Sequence, residues 1–346
     1  MILKPLEVPE LLLKTEALNY RLIPIHPLKL KISAKARNLR AGYNGELSLE
    51  FPLSFLPYDK FLIFHALRIH DANGIFQIDI LLLSANFILI IEVKNIWDHV
   101  IFDDMGQAVR VENDKTKAFT NPIDQVNLQH LRFLRWLRQF NFPSIPIEKI
   151  VVYSNPNTVL KNHTNDKVIT EVVMHKEKIL QKIDELTRMY HTPCFSEEHL
   201  MNLAFQLLTA HVSEEVDILN KYNVSSDELI KGVFCQECNI APMRWIRGKW
   251  NCSSCKTSSK TSHQWALVDY GLLKSAYINN RSARDFLQVD SEKVARNLLQ
   301  KENFERLGTT SGVKYKMDID NLVEKSNYVK RSILGRSSRS EGGSSQ

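Results

Sequence analysis

The chain has 346 residues, a formal net charge of +6 and ordinary globular proportions, 44% apolar and 24% charged. This excludes a mainly disordered chain and allows two or three domains of roughly 100–200 residues each. No apolar run approaches the roughly 18 residues needed to cross a bilayer, and Met1-Ile2-Leu3-Lys4 lacks the plan of a signal peptide, so the expected location is cytoplasmic, away from membranes.

Residues 1–45 read as helical turns broken by Pro24 and Pro27, and Glu46 follows Gly42 and Gly45 to open a helical stretch to about Leu56. Residues 61–69 read as a buried strand and Asp71–Gly74 as a turn. Gln77–Ser84 and Phe87–Lys94, rich in Ile and Leu and joined at Ala85-Asn86, read as a hairpin. Pro122 suits a first helical position, and Val126, Leu128, Leu131, Leu134 and Leu137 give helical spacing to Phe140. Lys149–Tyr153 is a further short strand, residues 171–231 hold two or three helices, and Gly335–Gln346 is a Ser/Gly/Arg tail expected to be disordered.

The hairpin carries the chemistry. With Ala85-Asn86 as its turn, Asp79 falls opposite Glu92 and Gln77 opposite Lys94. All four side chains then project from one side of the sheet. Opposed residues have Cβ atoms about 4.5–5.5 Å apart, so two like charges there repel among apolar neighbours, where an unpaired carboxylate is costly. A divalent cation resolves this, and two carboxylates plus waters suit Mg²⁺, or Mn²⁺ in its place. Lys94 would sit beside that ion, to orient or help deprotonate a water or hold a phosphate oxygen. The simpler alternative makes Lys94 the salt-bridge partner of both acids.

Four separated strings, Gly45-Glu46, Phe76-Gln77-Ile78-Asp79, Ile91-Glu92-Val93-Lys94-Asn95 and Asn121-Pro122 with Gln125, resemble the nuclease-related domain (NERD) family over roughly residues 10–165. That family is similar to the PD-(D/E)xK, restriction-endonuclease-like superfamily. The resemblance implies an α/β core and Asp79 and Glu92 as metal ligands, joined by the Val93 carbonyl. It further implies Lys94 as catalytic lysine, Glu46 as first-helix acid and Gln125 reaching the site from the following helix. Read from the residues alone, Glu46 is equally a helix N-terminal acid favoured by the macrodipole. Gln125 and Gln129 are equally a solvated helix face. His65, His70, His99 and His130 lack metal-ligand spacing and read as surface or satisfied histidines.

Cys235-x-x-Cys238 and Cys252-x-x-Cys255 stand thirteen residues apart, close to the spacing of a four-thiolate structural zinc site, and the segment resembles a zinc ribbon. Between them, Met243–Trp250 reads as a hairpin with Arg244, Arg247 and Lys249 beside Trp245 and Trp250. Basic and aromatic side chains together can grip phosphates and stack bases, although at least one Trp is expected in the ribbon's core. Cys194 reads as a small buried apolar residue.

Residues 271–346 carry fourteen Lys/Arg against nine Asp/Glu, whereas 1–270 are nearly neutral, which points to an anionic partner. Ser282–Val289 and about Ser291–Asn303 read as two short helices, the second capped by Asp290, with Val294, Leu298 and Leu299 inward. A Gly308–Gly312 hairpin follows. This plan resembles winged-helix domains of bacterial regulators. Lys293, Arg296 and Asn297, with Ser291, would then lie toward DNA, and Lys314 and Lys316 on the wing. A protein-interaction or dimerisation module is the equal alternative.

The expected architecture is therefore an N-terminal helical segment (1–45), a PD-(D/E)xK-like α/β domain (46–165) and a helical connector (166–231). A small zinc ribbon (232–268), a winged-helix-like module (271–334) and the tail (335–346) complete it. The expected function is Mg²⁺-dependent hydrolysis of DNA, with RNA left open. The rival is a non-catalytic nucleic-acid-binding or regulatory protein built on a nuclease-like scaffold.

Overall fold

The computed structural model describes residues 1–112, 115–164, 166–309 and 312–331; the expected disordered tail, Gly335–Gln346, lies outside the described residues. The chain begins with β1 (Ile2–Lys4), α1 (Glu10–Arg21), α2 (Lys29–Leu47) and α3 (Glu50–Leu53). Then come β2 (Leu62–Asp71), β3 (Gly74–Leu83), β4 (Ile88–Lys94), β5 (Asp98–Phe102), β6 (Ala108–Glu112), β7 (Lys115–Phe119) and α4 (Pro122–Leu137). β8 (Ile147–Tyr153), β9 (Thr158–Asn162), α5 (Lys167–Val172), β10 (Val173–His175), α6 (Ile179–Met189), α7 (Glu197–Ala210) and α8 (Ile218–Tyr222) follow. The last part holds β11 (Arg244–Ile246), β12 (Lys249–Asn251), β13 (Ser258–Ser259), α9 (His263–Leu273), β14 (Tyr277–Asn279), α10 (Asn280–Leu287), α11 (Glu292–Lys301), β15 (Glu305–Leu307), β16 (Lys314–Lys316) and α12 (Ile319–Lys325). These elements divide into two units: residues 1–8 with 38–213, and residues 9–37 with 214–346. Among the described residues no helix is long and apolar enough to cross a membrane.

The first unit is a mixed α/β layer structure. Its main sheet has the order β1-β2-β3-β4-β8-β10. β2, β3 and β4 run antiparallel, while β8 lies parallel to both β4 and β10. One face packs on α4, α7 and residues of β5 and β6; the other packs on Leu49 and Leu53 and on Ile179, Ile183 and Leu186 of α6. A strand covered on both faces needs apolar side chains on both. Ile88–Ile91 are accordingly all fully buried, which is why this run shows no alternation.

A second sheet, β7-β6-β5-β9, is built from three strands of the long crossover from β4 to β8 and from β9, which follows β8. Sequence reasoning missed it, and also the parallel edge strand β1. The strands of this sheet are five residues long at most, and Arg110, Lys117 and Asn162 interrupt the side that holds Val100, Phe102 and Ala108, so no strong apolar run marks them.

The β2–β3 hairpin contains a kink that matters for the site. Its ladder runs from Leu62↔Leu83 to Asp71↔Gly74 and skips only Ala66 and Asp79. On β2, Leu62 and Phe64 share a core face with Leu67 and Ile69; on β3, Ile78 shares it with Leu81. Alternation therefore slips by one residue at this point on both strands. Ala66 accommodates the slip with φ 47°, a left-handed conformation that costs a non-glycine residue roughly 1–2 kcal/mol.

In the second unit, α1 is held to α9 by a fully buried ionic centre. Arg21 Nε donates to Asp269 Oδ2 at 2.7 Å, and Arg331 Nη1 donates to both oxygens of Asp269 at 2.7 and 2.9 Å. Burial alone would raise the Asp269 carboxyl, but the two guanidiniums outweigh it and hold it below its ordinary range. Further on, α9, β14, α10, α11 and the β15–β16 hairpin follow in sequence, with the three strands in the order β14-β16-β15. Ala283, Phe286 and Leu287 of α10 are buried as expected. The cap of α11 is Ser291, whose hydroxyl accepts from Val294 N–H, and not Asp290. Inward positions on α11 are Ala295, Leu298 and Leu299, while Val294 is half-buried.

Candidate functional site

The β3–β4 ladder keeps the expected register from Leu83↔Ile88 to Ile80↔Ile91 and stops there. Asp79 and Glu92 are the next residues on each strand, where β3 kinks away. Instead of a cross-strand backbone pair, Asp79 Oδ2 accepts from Val93 N–H at 2.9 Å. Glu92 continues in the parallel ladder with β8, opposite Val151. Gln77 does not lie opposite Lys94: it pairs with Arg68 on β2. The expectation of four side chains on one flat face thus fails at the kink, although the Glu92 charge still acts on Asp79.

Glu92 is 1% exposed, and both of its oxygens have partners. Lys94 Nζ donates to Oε1 at 2.6 Å, and Gln129 Nε2 donates to Oε2 at 2.6 Å. Lys94 Nζ also donates to Gln125 Oε1 at 2.8 Å. The glutamines come from α4, whose Asn121 cap accepts from Ile123 N–H and whose Pro122 occupies the first turn. The buried stripe of α4 is Val126, Gln129, Phe133, Trp136 and Leu137, whereas Leu128 and Leu131 are 56% and 41% exposed. Gln129 belongs to the site and was not assigned to it from sequence. Its signal was present, since an i, i+4 pair of glutamines shares a face, but a polar residue at the centre of a buried stripe reads as solvated.

Glu46 stands in the last turn of α2, not at the start of a helix, so the macrodipole reading is wrong. Its neighbour Gly45 explains the close packing there. A Cβ on Gly45 would lie 2.7 Å from Asn95 Cβ, and Asn95 Nδ2 donates to Ala41 O at 2.7 Å. α2 therefore lies directly against the chain that leaves β4. Burial pushes the Glu46 carboxyl up to about 7, with Glu92 adding to the rise and Lys4 and Lys94 opposing it. Burial likewise raises Asp79 well above the carboxylate range, and Glu92 and Glu46 add to it. Three acids thus share one field. The buried Tyr153 hydroxyl, also raised by burial and by Glu92, has no hydrogen-bond partner, nor has Gln129 Oε1.

Residues 41–154 match the family model of the nuclease-related domain. This part of the chain is similar to nuclease-related domains. The match spans Glu46, Asp79, Glu92, Lys94, Gln125 and Gln129, the residues that converge at the end of β4. No curated protein and no solved structure matches the chain.

The four histidines have separate surroundings. His65 is fully buried, with both ring nitrogens unpartnered and its pKa lowered to about 4 by burial and by Lys4. His99 Nδ1 lies 2.6 Å from Asp98 Oδ1. His70 is exposed, and burial lowers the pKa of His130. Among the described residues, the only group of three or more His, Cys, Asp or Glu side chains arranged to hold a metal is the four cysteines.

Those sulfurs, from Cys235, Cys238, Cys252 and Cys255, lie within 4.8 Å of one another, with Cys235–Cys255 and Cys238–Cys252 both at 3.5 Å. A tetrahedron with Zn–S bonds of about 2.3 Å has edges of roughly 3.8 Å, so the cluster could bind structural zinc. The two knuckles are built alike. Asn239 N–H donates to Cys235 O and Lys256 N–H to Cys252 O, and both donors are left-handed, at φ 57° and 65°. Trp250 is fully buried, the core residue expected of the ribbon, and its Nε1–H donates to His263 Nδ1 at 3.2 Å. Cys194 is half-buried against the main core.

Lys293, Arg296, Asn297, Lys314 and Lys316 are all exposed. Ser291, expected beside them, is occupied in capping α11.

Two outcomes follow from this geometry. Asp79→Asn should stabilise the protein at pH 7 in buffer without divalent cations, by about 0.5–2 kcal/mol in thermal or urea unfolding. A carboxyl with a raised folded pKa costs stability as pH rises above its unfolded value near 3.8. The advantage of Asn should therefore vanish near pH 4 and grow towards neutrality; a variant less stable than wild type at pH 7 contradicts the shared field. For the ribbon, one zinc per chain is expected by metal analysis. Cys235→Ser or Cys255→Ser should release it and expose residues 232–268 to protease, because zinc supplies such a module's folding energy. Protein purified under reducing conditions with no zinc overturns that assignment.

Proposed function

We propose that the chain is a divalent-cation-dependent nuclease acting on DNA, with a PD-(D/E)xK-type centre made by Asp79, Glu92 and Lys94. The observation that carries this reading is the convergence of Asp79 and Glu92 at the point where β3 splays from β4, with Lys94 bonded to Glu92. The donor set fits a hard cation. Burial raises the pKa values of Asp79 and Glu46, and the Glu92 carboxylate adds to both; oxygen ligands of this kind suit Mg²⁺ or Mn²⁺. Asp79 and Glu92 would hold the ion, with the Val93 carbonyl a further candidate.

A bound Mg²⁺ or Mn²⁺ would polarise the phosphodiester and lower the pKa of an attacking water. Lys94 would orient that water and offset phosphate charge, and Gln125, accepting from Lys94 Nζ, would fix the ammonium. Gln129 would keep Glu92 in one rotamer. Glu46, with a pKa of about 7, is suited to accept or return a proton near neutral pH.

The second unit would supply affinity. Its run of helix, strand, two helices and hairpin, with strand order β14-β16-β15, supports a winged-helix reading. In that reading Lys293, Arg296 and Asn297 of α11 face DNA and Lys314 and Lys316 sit on the wing. A non-catalytic scaffold remains the second reading, and one observation favours it: both Glu92 oxygens already have partners within the chain.

Cleavage decides between them. Purified wild type should cut labelled DNA with Mg²⁺ or Mn²⁺, and Glu92→Gln or Lys94→Ala should lower the rate at least 100-fold while DNA binding stays within a few-fold. Equal cleavage by wild type and both variants, or none by any, contradicts the nuclease reading.

A further inference from the structure

A cavity of about 1170 Å³ lies between the first arm of the cysteine ribbon and the α10–α11 pair, wholly within the second unit. Its ribbon wall is formed by Pro242 to Ile246, and its other wall by residues of α10, the turn after it and the start of α11. The two tryptophans of the ribbon have separated roles. Trp250 is buried. Trp245, directly opposite it in the β11–β12 pair, packs edge to face against it at 5.2 Å and is half-buried, leaving the rest of its indole as cavity wall. Ile246 beside it is 50% exposed.

Three guanidiniums border the same space. Arg244 and Arg281 are exposed. Arg284 reaches Asp290 O and Glu292 Oε1 at 3.3 and 3.4 Å, both long contacts, and its Nε is buried without a partner. Of the acids on the rim, Asp285 is already paired with Lys231 at 2.8 Å. The cavity therefore offers an anchored aromatic face, an exposed aliphatic side chain and cationic groups on both walls.

We propose that this groove binds single-stranded nucleic acid, with the Trp245 indole stacking a base and Arg244, Arg281 and Arg284 holding the adjoining phosphates. The proposal rests on the nucleic-acid reading of the chain and adds a second contact to it. Duplex DNA is read by a convex element that enters a groove of the duplex, whereas a concave track with an aromatic platform and cations takes a flexible strand. The space exceeds the roughly 300–1,000 Å³ of ordinary small-molecule pockets, and no titratable pair suited to catalysis lines it. The exposed cations of α11 and the wing would engage duplex, and this groove would engage an unpaired strand continuous with it. Structures that carry both, such as an overhang or a flap, would be favoured over blunt duplex.

The test uses full-length, zinc-loaded protein, a labelled 15-nucleotide oligothymidine and a blunt duplex, both followed by fluorescence anisotropy. Trp245→Ala and Arg281→Glu should each weaken strand binding about tenfold or more, as expected for loss of one stacked base or reversal of one phosphate contact. Trp245→Phe should keep most of it, and duplex affinity should change little in all three. Arg296→Ala should show the opposite pattern. Arg281 is exposed, so Arg281→Glu reports even where Trp245→Ala loosens the ribbon. Strand affinity unchanged in Trp245→Ala and Arg281→Glu overturns the groove while leaving the nuclease reading intact. Wild type that binds duplex but not the oligonucleotide does the same, and wild type that binds neither overturns both.

Discussion

A carboxylate buried at the end of an entirely apolar strand has to be compensated by the chain around it, and Glu92 sets that requirement here. Ile88–Ile91 place it between two packed faces, where an uncompensated charge is untenable. Lys94 meets the need from the same strand and Gln129 from α4. α4 can serve only if its buried stripe carries a polar residue at its centre. The long crossover that delivers α4, with three strands of the second sheet, is then the connection that completes the site. Asp79 joins because the β2–β3 hairpin kinks at Ala66 and Asp79, which frees its carboxylate to take Val93 N–H in place of a ladder bond.

The result is a site that holds more negative charge than it neutralises. Glu46 and Asp79 are both driven toward the protonated form, while Lys94 is the cation hydrogen-bonded at its centre. Burial is the larger cause of both shifts, and the proposed cation would relieve the part that comes from the neighbouring acids. The second unit shows the opposite arrangement. There one carboxylate, Asp269, is matched by two guanidiniums and a tyrosine, and the cluster ties α1 to α9 as structure alone.

Much of this was legible in the sequence. The hairpin register, the start of α4, the strand at Lys149–Tyr153 and the paired knuckles follow from apolar runs, a proline and cysteine spacing, which are strong local signals. The kink was not legible, because Ala66 is a residue type that gives no sign of a left-handed backbone. Gln129 was hidden because a polar residue within an amphipathic pattern reads as solvated unless its partner is known. Glu46 was assigned to the wrong end of a helix, since Gly42 and Gly45 look like a break. In fact Gly45 serves close packing against Asn95 within a continuous α2. The Asp290 cap failed by one residue, with Ser291 equally able to cap and better placed.

The proposed chemistry requires that Asp79 and Glu92 hold a divalent cation. Mn²⁺ binding to zinc-loaded full-length protein, followed by electron paramagnetic resonance with Mg²⁺ as competitor, measures this without reference to cleavage. One competable Mn²⁺ site per chain is expected at sub-millimolar to millimolar concentrations, lost in Asp79→Asn and Glu92→Gln and retained in Arg296→Ala. Wild type without such a site, or a site that survives both carboxylate substitutions, would contradict the account.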